Sequence, residues 1–327
     1  MKIRFITLLA LLTLLWACYP ASQVSYSSPQ ESTVNQWLIE FKPTEAKAQL
    51  TMRIRREGDR GFSYNNTGFG IGLDQLSGLT REQVMSSGTT VRFQLKRDAG
   101  TFNFEGWFKE GNGSGHFTFS PSSSFAAELA RQGFGRPTDD QLLSLAMSDT
   151  GLTFINELKA QGYDTATVEQ LVRMGNHGVR LEYLQGLKAM GYSVKSTDLV
   201  VRMKDHGVSL NFIRELSALG YTNPNPEELI RTRDHGVSAS FIGEMKELGY
   251  SNLAVEQLVR LRDHGVSAGF IREMKELGYS NLAVEQLVRL KDHGVNAGYI
   301  RRMKERGFAD LTLDEYIRLR DRGEREE

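Results

Sequence analysis

Five histidines, His177, His206, His235, His264 and His293, are separated by a constant step of 29 residues. The Gly-Tyr pairs that begin at Gly162, Gly191, Gly220, Gly249 and Gly278 keep the same step, and Gly307-Phe308 nearly continues it. A fixed period of this length marks a repeat architecture, in which one supersecondary unit stacks on copies of itself. The clearest copy, Ala254 to Leu282, carries two apolar stripes at i, i+3, i+4 spacing. Val255, Leu258, Val259 and Leu261 form the first, and Phe270, Ile271, Met274 and Leu277 form the second. That is the pattern of two short amphipathic helices. Helices of about ten residues are marginal alone, so they must be stabilised by neighbours. The expectation is an α-solenoid over residues 138–327, with six helix pairs and a final half unit, Thr312 to Arg322.

The punctuation of each unit supports this. Thr138, Thr167, Ser196, Asn225 and Thr312 stand at first-helix N-caps, where a side-chain oxygen accepts from a free backbone N–H. Gln141, Gln170 and Glu315 follow the three threonines at capping-box spacing. An acid occupies the second helical position of every copy (Asp140, Glu169, Asp198, Glu227, Glu256, Glu285, Asp314), facing the positive end of the helix dipole. Gly178, Gly207, Gly236, Gly265 and Gly294 follow the last turn, where a left-handed residue closes a Schellman motif. The first unit is atypical, with Ser148-Asp149 in place of His-Gly, as expected of an end unit.

Ahead of the repeats the text changes. Lys2 and Arg4 precede an apolar run, Ile6 to Trp16, too short to span a bilayer and consistent with a signal peptide over residues 1–17. The run ends in Leu15-Trp16-Ala17-Cys18, which resembles a bacterial lipobox with Cys18 as the lipid attachment site. An ordinary cleaved signal peptide with a coincidental cysteine is the competing reading. Cys18 is the only cysteine, so no intramolecular disulfide can form. Residues 18–33 are rich in Ser, Gln, Pro and Thr and read as a flexible tether. Residues 34–121 alternate with period two, as in Leu50-Met52-Ile54, Val91-Phe93-Leu95, Phe102-Phe104 and Phe117-Phe119. About six strands are expected, in an antiparallel β-domain curled into a small barrel or sandwich. Asp98-Ala99-Gly100 and Gly111-Asn112-Gly113 are hairpin turns, and Thr80 to Val84 is a short helix. Residues 122–137 supply a linking helix and loop. The fold class is therefore α+β multidomain.

The chain is a balanced polyampholyte: its formal net charge is zero with 24% charged residues. Nucleic-acid binding needs a net basic face, so it is not expected. The histidine ladder invites a metal reading. Zinc ligands converge at about 2.0–2.1 Å from one ion, whereas stacked helices lie roughly 8–10 Å apart. Histidines at helix C-termini instead suit free carbonyls and the negative dipole end, so no metal and no cofactor are expected. An arginine ladder, Arg173, Arg202, Arg231, Arg260 and Arg289, keeps the same step and continues at Arg318. Each arginine lies four residues after the acid of its own helix, an order that stabilises a helix as a solvated i, i+4 pair. The same strip is the candidate docking face for an extended partner. Gly113-Ser114-Gly115-His116 is not a nucleophile elbow and reads as a glycine-rich turn. Gly68, Gly70 and Gly72 read as bends or bulges in a strand. Trp107 and its phenylalanine neighbours are core or, alternatively, a sugar-stacking platform.

The run Gly249 to Lys275, and the stretch Val91 to Leu129 with Asp98-Ala99-Gly100-Thr101-Phe102, resemble the C-terminal region of bacterial membrane metallopeptidases of the β-lactam-sensor (antirepressor) type. The zinc motif and multi-span membrane domain of those peptidases are missing here, so no catalytic residue carries over. The resemblance implies an exported accessory or sensory module. Together the features predict a non-enzymatic envelope lipoprotein that binds an envelope protein or peptide and meets the membrane through its lipid. The alternative is a β-domain that binds a small molecule or glycan, with the repeats as relay or spacer.

Overall fold

Alternating strands come first and short capped helices follow. The computed structural model describes residues 35–323, apart from 43–44, 46, 59–60 and 164–166. The apolar leader, Cys18, the tether and residues 324–327 lie outside the described residues.

Seven strands form one antiparallel sheet: β1 (Asn35–Glu40), β2 (Ala48–Gly58), β3 (Gly61–Ile71), β4 (Leu76–Ser77), β5 (Ser87–Arg97), β6 (Gly100–Lys109) and β7 (Asn112–Pro121). The order is β3-β2-β1-β7-β6-β5-β4, a curled half-barrel with β3 and β4 at its ends. It is neither a sandwich nor a closed barrel. The count exceeds expectation by one because β4 has only two residues, too few to show alternation. Asp98-Ala99 turns β5 into β6 as read from the sequence, with Arg97 opposite Gly100. The short helix α1 (Arg81–Val84) is capped by Thr80, whose hydroxyl accepts from Gln83 N while Gln83 accepts from Thr80 N.

One face of the sheet is filled by Trp37, Phe93, Phe102, Phe104, Phe108 and Phe117, all nearly inaccessible. Trp37 meets Phe93 edge-on at 5.2 Å, and Phe93 stacks on Phe104 at 4.7 Å. Two glycines make this possible. Gly106 faces Gly115 across β6 and β7, and Trp37 lies against the pair. A Cβ on Gly106 would sit 2.7 Å from the indole carbon Cζ2, and one on Gly115 would sit 2.8 Å from Nε1. The indole N–H donates to the Glu105 carbonyl at 3.2 Å. Gly113 to His116 therefore belong to a strand, not to a turn; the turn is Glu110-Gly111, both at positive φ. Gly68 and Gly70 make no bulge, since β3 pairs with β2 without interruption from Ile71 opposite Ala48 to Gly61 opposite Gly58.

After α2 (Ser123–Arg131), thirteen helices of nine residues alternate in two sets. The first set is α3 (Asp139–Met147), α5 (Val168–Asn176), α7 (Thr197–Asp205), α9 (Pro226–Asp234), α11 (Val255–Asp263), α13 (Val284–Asp292) and α15 (Leu313–Asp321). The second is α4 (Leu152–Ala160), α6 (Leu181–Ala189), α8 (Leu210–Ala218), α10 (Ala239–Glu247), α12 (Ala268–Glu276) and α14 (Ala297–Glu305). From α3 to α13 each member of the first set packs on the next member of that set, and α4 to α14 do the same in the second. The buried apolar side chains form one continuous cluster from Trp37 to Ile317, so sheet and helices share a core.

The caps are where the sequence places them. Thr138, Thr167, Ser196, Asn225 and Thr312 each accept from the N3 amide. Asn225 also forms a capping box with Glu228, and Gln257 and Gln286 accept from the N-cap amides of Ala254 and Ala283. Ser209, Ser238, Ser267 and Asn296 cap the second-set helices α8, α10, α12 and α14 in the same way. Gly178, Gly207, Gly236, Gly265 and Gly294 have φ between 66° and 73°. In each case the next residue bonds back to the C3 carbonyl, as Val266 N does to Leu261 O. In the first unit Asp149 takes the left-handed position at φ 55°, a conformation Asp tolerates better than most residues.

Two polar side-chain contacts among the described residues tie the sheet to the helices. The N-cap residue of α4 is Gly151, which has no side chain to offer. Asp98, from the β5–β6 turn, supplies the acceptor instead, its Oδ2 taking the Leu152 N–H at 2.7 Å. Beside it, Arg97 Nη1 meets Asp149 Oδ2 at 3.0 Å. The helix α3 packs on β6 and β7.

Candidate functional site

The arginine ladder is built differently from the sequence expectation. The partner of each arginine is not the acid four residues earlier but the acid of the following first-set helix. Arg173 pairs with Asp198, and Arg202 grips Glu227 with both terminal nitrogens at 2.9 and 2.8 Å. Arg231 meets Glu256 at 3.7 Å, Arg260 meets Glu285 at 3.8 Å, and Arg289 meets Asp314 at 2.7 Å. The hydrogen bonds that Arg202 donates to Glu227 hold its guanidinium above its usual range. All five arginines are about half exposed. Exposed pairs of this kind contribute little to stability.

The histidines also reach forward. His177, His206, His235 and His264 bring Nδ1 within 2.6 Å of Oδ1 of Asp205, Asp234, Asp263 and Asp292, and His293 is 2.7 Å from Asp321. Each histidine stands at the C-cap of its own helix, but its ring bonds the aspartate of the next helix and not the free carbonyls of its own, which the sequence pattern predicts. Every acceptor aspartate but Asp321 directly precedes the next histidine, so the row alternates Asp and His. Among the described residues, no three His, Cys, Asp or Glu side chains converge on a metal position.

A third row was not read from the sequence. Lys204, Arg233, Arg262, Lys291 and Arg320 lie over the rings of Tyr183, Phe212, Phe241, Phe270 and Tyr299, at 4.8–5.3 Å from the ring centres. Here the direction is reversed: the cation comes from the following unit and the ring from the preceding one. Each contact is worth about 0.5–1 kcal/mol at an exposed site. The 29-residue step was visible in both partners, but the pairing of one with the other needs the fold.

The sheet offers a second surface. Trp107 and Leu38 are 49% and 45% exposed, on either side of Ser114. Trp107 is therefore outside the core, unlike its phenylalanine neighbours. Beside it, Arg53, Gln36, His116, Glu105 and Arg92 form one cross-strand row. Arg92 bonds Glu105 at 2.9 Å and holds that carboxyl below its usual range, with His116 3.9 Å away. The opposite face is filled by aromatic rings.

In comparisons with protein-family models, curated proteins and solved structures, nothing matches this chain. No helix among the described residues is long and apolar enough to cross a membrane.

Proposed function

We propose that this chain is a non-enzymatic cell-envelope lipoprotein, anchored by a lipid on Cys18, that presents an interaction surface to an envelope protein or peptide. In this reading the β-domain spans 34–121 and the helices form an α-solenoid of 29-residue pairs over 138–327. The observation that carries it is the agreement of three contact rows, each joining one unit to the next. Rows of this kind hold a stack in register and give a long face with side chains at regular intervals, the feature that solenoids use for binding. The linking helix α2 counts as a further half unit. Ser122 caps it, Gly133 ends it at φ 90°, and Phe134 N bonds Leu129 O, as Tyr250 N bonds Met245 O in a later unit. Lys159 Nζ meets the Gln132 carbonyl as Lys246 and Lys275 meet Leu219 and Leu248. An accessory module related to the region ahead of, and within, the repeats of β-lactam-sensor peptidases fits the same description.

Arg173, Arg202, Arg231, Arg260 and Arg289 form the docking face. Because their ion pairs are exposed and weak, a partner's carboxylates can exchange with the chain's own at little cost. The test is capture from native envelope extract by wild type and by a variant with Ala at Arg202, Arg231, Arg260 and Arg289, both of unchanged helicity. A partner retained by wild type, lost in the variant and released by salt supports the reading. Equal retention by both proteins, or no retention by either, refutes it. Incorporation of labelled fatty acid, abolished by Cys18→Ser, tests the anchor.

The exposed Trp107 favours a second reading, in which the open sheet face stacks a sugar ring. Quenching of its fluorescence by envelope glycans, absent in Trp107→Ala, distinguishes the two.

A further inference from the structure

A cleft of about 650 Å³ lies where the β3 end of the half-barrel meets the helices. One wall is the strand β3 at Thr67 to Gly70, and another is Lys96 and Arg97 at the end of β5. The helical side contributes Asp149 and Arg180. Three features of this cleft are unexplained by the stability of the fold.

First, β3 is eleven residues long, ends the sheet and pairs with β2 alone. A long edge strand presents unpaired N–H and C=O groups, and proteins ordinarily shorten, cover or charge such edges. Second, Gly68 and Gly70 stand on that edge. Glycine within a regular strand weakens it and marks a place where another backbone comes close. Third, two guanidiniums carry N–H donors that no carboxylate accepts among the described residues, although Asp98, Asp149 and Glu182 also line the cleft. Arg97 is 15% exposed; its Nη1 pairs with Asp149 Oδ2, but its buried Nε has no hydrogen-bond partner among the described residues. Arg180 is half-buried, and its Nη1 donates to backbone carbonyls, to Gly175 O at 2.6 Å and Val179 O at 3.4 Å. Burial pulls its basicity down, against the opposing fields of Asp149 and Glu182. A buried cation without its full set of partners is costly, and a ligand carboxylate would supply the missing acceptor.

We propose that this cleft binds an extended peptide that adds a strand to the β3 edge and places a carboxylate against Arg97 and Arg180. Main-chain pairing supplies affinity along Thr67 to Gly70, and the guanidiniums fix direction and register. The carboxylate is either a free C-terminus or an Asp or Glu side chain. The site deepens the reading of this chain as a peptide-binding module, and it is separate from the arginine ladder.

The test uses the purified full chain in mild detergent and a library of random octapeptides with free C-termini. Bound peptides are then remade with an amidated C-terminus, with Asn or Gln for each acid, and with alternate backbone nitrogens methylated. The expected result is selective enrichment and slowed amide exchange at residues 67–70. Affinity falls about tenfold or more when the carboxylate is removed, and also in Arg97→Gln and Arg180→Gln. N-methylation also abolishes binding, which tests strand addition without altering the protein. Loss on amidation assigns the carboxylate to the terminus; loss only with Asn or Gln assigns it to a side chain. No enrichment, indifference to methylation, or exchange protection elsewhere overturns the proposal. Peptide binding that persists in the four-arginine variant while envelope capture fails separates this site from the ladder. Capture without peptide binding leaves the ladder and removes the cleft.

Discussion

The joint between Asp98 and Gly151 makes a quantitative prediction about how sheet and helices are held together. Asp98 supplies from another element the side-chain acceptor that Gly151 lacks, and takes the first amide of α4, that of Leu152. Replacing an N-cap acceptor by Ala costs typically about 1 kcal/mol, within a range of roughly 0.5–2, so Asp98→Ala is expected to destabilise by that amount. Gly151→Ala acts on the same bond from the other side. A Cβ there would lie 2.4 Å from Asp98 Oδ2, so the carboxylate must leave. The backbone at Gly151 is extended, with φ −102° and ψ −170°, so the methyl itself causes no strain. Each single change therefore removes the same hydrogen bond, and the double mutant should cost no more than either alone. The resulting coupling energy is about 1 kcal/mol, well above the roughly 0.3–0.5 kcal/mol scatter of independent sites. Gly151→Ser in the Asp98→Ala background should recover most of the loss, because the serine restores a local cap like Ser209 or Ser238. The assay is urea denaturation of the four proteins, followed by circular dichroism. Simple additivity of the two alanine costs, or no recovery with serine, would refute the trans-cap.

Gly115→Ala should cost about 1–3 kcal/mol through overpacking, since its methyl meets the Glu105 carbonyl and the Trp37 ring; the urea midpoint and tryptophan emission report it. Tyr183→Phe leaves the Val208 carbonyl without the buried hydroxyl that donates to it at 2.7 Å. A loss of about 1–3 kcal/mol is expected, and an unchanged melting temperature would contradict it. A double-mutant cycle on His235 and Asp263 should give only about 0.2–1 kcal/mol of coupling, and stability should be indifferent to chelators; coupling several times larger would mean that the row is more than a surface joint. Glu128 is held down to about 2 by the hydrogen bonds of Arg131 and then Gln132. A depressed folded value contributes stability above the unfolded value near 4.5 and loses it as pH falls toward 2. The stability gap between wild type and Glu128→Gln should therefore close over that interval, and a gap that widens on acidification would reverse the sign of the argument.

Local features were legible and periodic partners were not, for a reason of arithmetic. N-caps, left-handed glycines and strand alternation are decided within a few residues, so Thr138, Gly178 or Leu50-Met52-Ile54 announce their roles directly. The ion pairs are different. In a chain of period 29, a partner four residues back is also a partner 25 residues ahead one unit on, and the text alone does not choose. Arg202 has Asp198 behind it and Glu227 ahead, and the fold selects Glu227. The histidines share this ambiguity: Asp205 is adjacent to His206 in sequence yet bonds His177. Cross-strand neighbours are hidden for a related reason. Gly115 looks like part of a turn until β6 brings Gly106 opposite and Trp37 onto both. The cleft residues Gly68, Arg97 and Arg180 are far apart in the chain, and only the curl of the sheet gathers them.

The forward reach of His, Arg and aromatic side chains has a consequence for how such a chain can change. Most units carry the donor half of one joint and the acceptor half of the previous one. A whole unit can thus be copied or excised, for example 254–282, and the flanking neighbours still find matching partners. The near identity of Gly249–Leu277 and Gly278–Arg306 is the pattern such copying would leave. Cutting by any other number of residues breaks every row at once. In the proposed solenoid, reach would then change in increments, like the rungs of an extension ladder, without a new interface being invented.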